Sequence, residues 1–220
     1  MIVGSDGSEE SRQGLLWAVR ATHPDREVIK VAVRHGRPAA VLADEAAERD
    51  AALIVVGHRH GRRLAELRGS VAMELIDRAP CPVVVVPGTV GVGGCTVVGY
   101  DGSAGAREAL HWALDHDRGR RELVVAAATR DRLGTSLPRP LGLGEHDRVV
   151  IAEAVLAELV LEDDKLLDAD FRLRTVDGHP GASLADIADA EDAQEVVVGR
   201  GSHAHEIVEH ARRPVIVVPS

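Results

Sequence analysis

The chain has 220 residues, 45% of them apolar and 28% charged, with 22 glycines, 10 prolines, four aromatic rings besides histidine and a formal net charge of -9. This composition excludes a collagen-like repeat and the low-apolar, high-charge profile of a disordered chain. No uninterrupted apolar run approaches the roughly 20 residues that span a bilayer. The opening Met1-Ile2-Val3-Gly4-Ser5-Asp6 lacks the basic start and apolar stretch of a secretory leader, so a cytoplasmic protein with no membrane partner is expected. Cys81 and Cys95 are the only cysteines, which excludes a disulfide-dense scaffold and leaves two thiols expected to be unpaired.

The predicted elements alternate between strand and helix. Ile2 to Ser5 reads as a short strand, Asp6-Gly7-Ser8 as a turn with capping side chains, and Glu10 to Ala21 as a helix with Leu15, Leu16 and Val19 at apolar spacing. Val28 to Val33 is a strand, Pro38 starts a helix running to about Arg49, and Leu53 to Val56 is a continuous apolar strand ending at Gly57. Ser70 caps a helix to about Arg78, and Val83 to Val86 is the next strand. The remainder repeats this plan. It adds a strand at Leu123 to Ala127, a Pro- and Gly-rich loop over Arg130 to Asp147, a helix from about Val149 to Leu161, an acidic stretch from Glu162 to Asp170, and a strand near Phe171 to Val176. Continuous apolar strands between amphipathic helices indicate parallel sheets covered on both faces.

The repetition is visible in the letters. Ile2 to Val19 matches Val97 to Leu114 at nine of eighteen positions, at an offset of 95. Gly36 to Gly57 matches Gly178 to Gly199 at twelve of twenty-two, at an offset of 142, and Gly69 to Pro87 answers Gly201 to Pro219 at an offset of 132. The second copy therefore has 47 extra residues between its first two blocks and ten fewer between its last two. This indicates one ancestral unit used twice: a truncated domain over 1–88 with about four strands, a linker over 89–94, and a second domain over 95–220 with about five. Charge divides along the same line. Residues 1 to 88 carry 12 basic and 12 acidic groups, residues 89 to 220 carry 14 and 23. An acidic second half repels a nucleic-acid backbone, so no such partner is expected.

In an open α/β sheet, ligands sit at the carboxyl ends of strands. Asp6, the Gly36 turn, Gly57 and Gly69-Ser70 fall there in the first copy. Glycines let backbone N–H groups approach an anion, and a helix start adds donors and partial positive charge. Ser70 offers a hydroxyl; Arg59, Arg62, Arg63 and Arg68 add charge; Asp6 suits a ribose hydroxyl or, through Mg2+, a phosphate oxygen. The alternative reading stays open: Gly57 and Gly69 simply end a strand and begin a helix, with Ser70 only a cap. Ser8 and Ser103 read as caps and not nucleophiles, so no catalytic residue is expected. His58, His60, His203 and His205 lack a zinc-ligand spacing, so no metal site is expected either. Trp17 and Trp112 read as packing residues of equivalent helices.

These motifs, IVGSDGS and VVGYDGS with a tryptophan in each first helix, the turn from Gly36, LIVVG and VVVG, Gly69-Ser70-Val71 and APCPVVVVP, together resemble a tandem bacterial universal stress protein. The resemblance implies two tandem doubly wound parallel-sheet domains of the adenine nucleotide alpha hydrolase-like type. It implies self-association as a dimer, or domain pairing, through the terminal strands. It also implies a stress-response binding protein for ATP or another adenine nucleotide, with Mg2+, at Asp6, Gly57, Gly61, Gly69 and Ser70. The alternative is a nucleotide-independent structural or protein-interaction module. The family loop G-x-x-G-x9-G-[ST] is altered here: His60 occupies the second glycine position, Gly61 is displaced by one, and Gly69 arrives one position early. The first copy lacks the unit that walls the adenine side, and the second lacks ten residues of the loop, so neither pocket is expected to be complete. A site shared between the copies is a further option.

Overall fold

The computed structural model describes residues 1–21, 27–33, 36–58, 70–88, 94–117, 122–128, 171–176, 179–201 and 203–220. The loop and helix expected within 130–161, the acidic stretch at 162–170 and linker residues 89–93 lie outside the described residues.

The first half contains β1 (Ile2–Gly4), α1 (Glu9–Ala21), β2 (Ile29–Val31), α2 (Pro38–Glu48), β3 (Ile54–His58), α3 (Val71–Arg78) and β4 (Val83–Pro87). The second contains β5 (Thr96–Gly99), α4 (Ala104–Asp117), β6 (Leu123–Ala128), β7 (Phe171–Val176), α5 (Pro180–Ala190), β8 (Glu195–Gly199), α6 (Ala204–His210) and β9 (Val215–Val218). Local chemistry sets several boundaries. Glu9 and Glu10 in the first turn of α1 and Arg20 in its last both suit the helix dipole. Pro38 and Pro180 open α2 and α5, where a missing N–H costs nothing. The strand expected over Val28 to Val33 contracts to three residues, Ile29–Val31.

Among the described residues, nine strands join one sheet in the order β2-β1-β3-β4-β9-β8-β5-β6-β7. Every neighbouring pair is parallel except β4 and β9, which run antiparallel with Val83 opposite Val217, Val84 opposite Ile216 and Val85 opposite Val215. The two halves thus pair through their terminal strands within one chain. That pairing places β4 between β3 and β9, and β9 between β4 and β8, so neither has a free edge for a second copy. The edges are β2 and β7. Lys30 is exposed on β2, and on β7 Arg172 pairs with Glu122 and Glu191 while Arg174 pairs with Glu191. Cationic side chains of this kind blunt an edge against unwanted pairing.

Strand side chains alternate between two cores. Val83, Val85, Val215 and Val217 pack with Leu42, Leu75, Leu184 and Ile207, from α2, α3, α5 and α6. Val84, Val86, Ile216 and Val218 pack on the other face with Trp17, Ala109 and Leu110, from α1 and α4. Trp17 is a core residue, whereas Trp112 is only partly buried and stacks on His116 with ring centroids 4.0 Å apart. Cys81 and Cys95 are both free thiols, and burial pushes the Cys81 thiol up to about 11.

Ile216 is fully buried at the junction of the halves, opposite Val84. Ile216→Ala should destabilise the whole sheet by about 2–5 kcal/mol, as truncation of a packed aliphatic residue does. Urea denaturation followed by tryptophan fluorescence measures this; a loss under about 1 kcal/mol would mean the junction is not tightly packed.

Candidate functional site

A cleft of about 440 Å3 lies at the carboxyl ends of β1 and β3. That volume suits a small-molecule ligand. Asp6, Gly57 and Ser70 all line it, together with His58. Gly61 and Gly69 lie outside the described residues, as do Arg59, Arg62, Arg63 and Arg68.

The polar rim is built by the turn after β1. Gly7 has φ +83°, a conformation that side-chain-bearing residues rarely adopt. It folds the chain so that the Ser8 N–H donates to Asp6 Oδ1 at 2.9 Å, while Ser8 Oγ accepts the Ser11 N–H at 3.2 Å and caps α1. The hydrogen bonds from the Ser8 hydroxyl and N–H hold the Asp6 carboxyl below its ordinary range. Asp6 therefore presents an anion to the cleft at neutral pH. The second half repeats the turn: the Ser103 N–H donates to Asp101 Oδ1 at 2.8 Å and Ser103 Oγ accepts the Ala106 N–H at 3.1 Å.

Across the cleft, Ser70 caps α3, its Oγ accepting the Met73 N–H at 3.2 Å. A serine hydroxyl that accepts in this way still has its own proton to donate. Ser70 thus offers a donor at the start of an eight-residue helix, where the helix dipole favours negative charge. The opposing wall is apolar, from Val33, Pro38, Leu42 and Val56. This wall is present although the first copy lacks one strand-helix unit. With one strand-helix unit fewer, the chain passes from β2 through Gly36 directly into α2, and Pro38 and Leu42 of that helix supply the surface. Leu42 was visible in the sequence only as one of the repeated identities.

Gly57 lines the cleft and also has a packing role. A Cβ there would strike the Glu10 carbonyl and come within 2.6 Å of the Ser11 nitrogen. The close rest of the first turn of α1 on β3 is by itself enough to require the glycine. Gly199 repeats the arrangement against Gly105 and Ala106.

The second half has diverged at the same places. Tyr100, buried, stands where the first half has Ser5, and Arg200 where it has His58. Its α6 has seven residues and is preceded by His203, which makes no side-chain cap. Because β4 and β9 are antiparallel, the carboxyl ends of the two half-sheets face opposite edges of the sheet. No group of three or more metal-ligating side chains occurs among the described residues, nor any helix long and apolar enough to cross a membrane.

Two half-sheets of doubly wound α/β type, each with an Asp-Gly-Ser turn after its first strand, define a tandem α/β fold. The model of the universal stress protein family matches residues 20–87 and 96–219, and the chain belongs to that family. A universal stress protein from Archaeoglobus fulgidus is similar over 100% of this chain and 97% of its own, at 13% identity with a TM-score of 0.68. A putative universal stress protein from Pseudomonas aeruginosa is similar over 99% of this chain and 81% of its own, at 17% identity with a TM-score of 0.60. Another Archaeoglobus fulgidus universal stress protein, solved in complex with dAMP, covers 58% of this chain and 99% of its own, at 24% identity with a TM-score of 0.44. The first two likenesses establish the fold. No curated protein matches the chain.

Two outcomes test this geometry. Gly57→Ala should cost about 3 kcal/mol, the upper end for overpacking against a backbone that cannot yield, whereas Gly88→Ala, which has open space around it, should change stability by less than about 0.5 kcal/mol; equal urea midpoints for the two would contradict the close approach. For Asp6, the depressed carboxyl contributes stability that is fully present above its ordinary value of 3.8 and is lost as pH falls through the lower folded value. A carboxyl NMR titration should place its midpoint below 3.8, and Asp6→Asn should flatten the acid-side loss of stability; a midpoint at or above the ordinary value would refute the turn's hold on the ionised group.

Proposed function

We propose that the protein is a cytoplasmic stress-response binding protein that takes an adenine nucleotide in the first-half cleft and does not turn it over. The observation that carries this reading is the meeting, in one cleft of about 440 Å3, of an apolar wall, an ionised Asp6 and the capped start of α3. The Val33, Pro38 and Leu42 wall suits the flat face of a base. The ionised Asp6 carboxylate, held by the Ser8 N–H and hydroxyl, has acceptor lone pairs suited to ribose hydroxyls. The Ser70 hydroxyl and the first turn of α3 suit a phosphate. Mg2+ in this reading arrives on the nucleotide phosphates, since such an ion keeps most of its water and needs only one or two protein carboxylates; Asp6 and Glu10 are the carboxylates lining the cleft. Both cleft serines that begin helices, Ser8 and Ser70, are engaged as caps, which fits a binding role better than nucleophilic chemistry.

Isothermal titration with ATP, ADP, AMP and cyclic AMP, each with and without Mg2+, tests the reading. Saturable binding with one site per chain is expected. Asp6→Asn and Ser70→Ala should each weaken it about tenfold, the equivalent of one lost hydrogen bond to a charged group. Heat-free titrations with all four nucleotides would remove the nucleotide reading and leave a nucleotide-independent interaction module.

A further inference from the structure

Helix α3 is held at both ends, and the two grips come from different halves of the molecule. Its first turn is capped by Ser70 in the cleft, with the Met73 N–H donating to Ser70 Oγ and the Glu74 N–H to the Ser70 carbonyl at 3.1 Å. Its last turn is held from the second half. The Arg200 guanidinium donates from Nη2 to the carbonyl of Ala79, the residue that ends α3, at 2.6 Å, and His205 Nε2 lies 3.0 Å from Asp77 Oδ1. Ala79 is buried, so its carbonyl has a donor brought to it by the partner half, not by water. The terminal carbonyls of a helix carry the negative end of its dipole, and a cation there is favourable.

Arg200 is itself well anchored. Its N–H donates to the Val218 carbonyl at 2.7 Å, so its backbone extends the β8–β9 pairing, and its buried Nε has no acceptor among the described residues. The guanidinium is therefore committed to one strong contact, across the boundary between the halves. The contrast with the first half is direct. At the position equivalent to Arg200 stands His58, which lines the cleft. In the second half the same strand-end position reaches the far end of the first half's helix.

We infer that Arg200 is a positioning residue for the first-half cleft: by fixing the end of α3 it sets where Ser70 and the first turn of that helix stand about 12 Å away. The functional part of this inference rests on the nucleotide reading above, whereas the mechanical part does not. A helix of two turns with its last carbonyl and its Asp77 side chain fixed has little freedom to tilt at its start. Without the Arg200 contact it is held at that end by the His205–Asp77 contact and by packing on β3, β4, α2 and α6.

The test uses the full-length chain with Arg200→Met, Arg200→Lys and, as a comparison that loosens surface ion pairs without touching α3, Arg213→Met, whose guanidinium pairs with Asp189 and Asp192 in the second half. Amide hydrogen exchange in the absence of ligand reports the helix start directly. Arg200→Met should speed exchange at the Met73 and Glu74 amides on the order of fivefold or more, within the usual range of coupling between sites, while Arg213→Met leaves them unchanged and Arg200→Lys restores most of the protection. Unchanged exchange at Met73 and Glu74 in Arg200→Met overturns the inference, whatever the protein binds. Where the wild-type chain binds nucleotide, Arg200→Met should raise the AMP Kd by a similar factor at a temperature where all variants are folded; an unaltered Kd overturns the link to the cleft. A wild-type chain that binds no nucleotide sinks the functional reading, and the exchange result then decides the positioning role alone.

Discussion

The antiparallel contact between β4 and β9 is the constraint on which the rest of the structure depends. Two parallel half-sheets with free terminal strands would each expose an apolar edge of valines, and an edge of that kind recruits whatever strand it meets. Joining them within the chain removes both edges at once and makes a nine-stranded sheet with two continuous cores. The antiparallel sense has a further consequence. It points the carboxyl ends of the two half-sheets at opposite rims. It also brings the end of α3 beside the end of β8, which is why a residue of one half can hold a helix of the other.

Within each half, a second contact does comparable work on a smaller scale. The first turn of α1 rests on Gly57, and the first turn of α4 rests on Gly199, with no space for a side chain. This fixes the Asp-Gly-Ser turn against the end of the neighbouring strand and so places Asp6 and Asp101 at the rim. The framework is the same in both halves, but the residues around it are not. The first half keeps small polar groups at Ser5, Ser11 and Ser70 and a cleft remains. The second half places a buried tyrosine at position 100 and turns Arg200 across the boundary. One scaffold therefore serves as a cleft on one side and as a support on the other.

Much of this organisation was legible in the letters. The repeated blocks, the offsets between them and the alternation of apolar strands with capped helices depend on local chemistry, and local chemistry is written residue by residue. The Ser8, Ser70 and Ser103 caps follow from a short hydroxyl next to a helix start. The apolar wall of the cleft was not legible, because Val33, Pro38 and Leu42 come together only when β2 pairs beside β1 and α2 folds back over the sheet. The reason for Gly57 was equally hidden: a glycine that admits a ligand and one that admits a helix look alike in a motif.

The sequence by itself determined that the chain is one α/β unit used twice, where its strands and helices fall, and which family it resembles, because periodicity, capping and repetition act over short stretches. The tertiary structure alone decided that the copies form a single sheet, that the carboxyl ends of their half-sheets face opposite rims, and that Arg200 reaches Ala79 across 121 positions of chain. Those outcomes depend on the direction in which two distant strands pair. No local feature of Val83 to Pro87 or Val215 to Val218 specifies that direction; it is set by the packing of whole helical layers on either side of them.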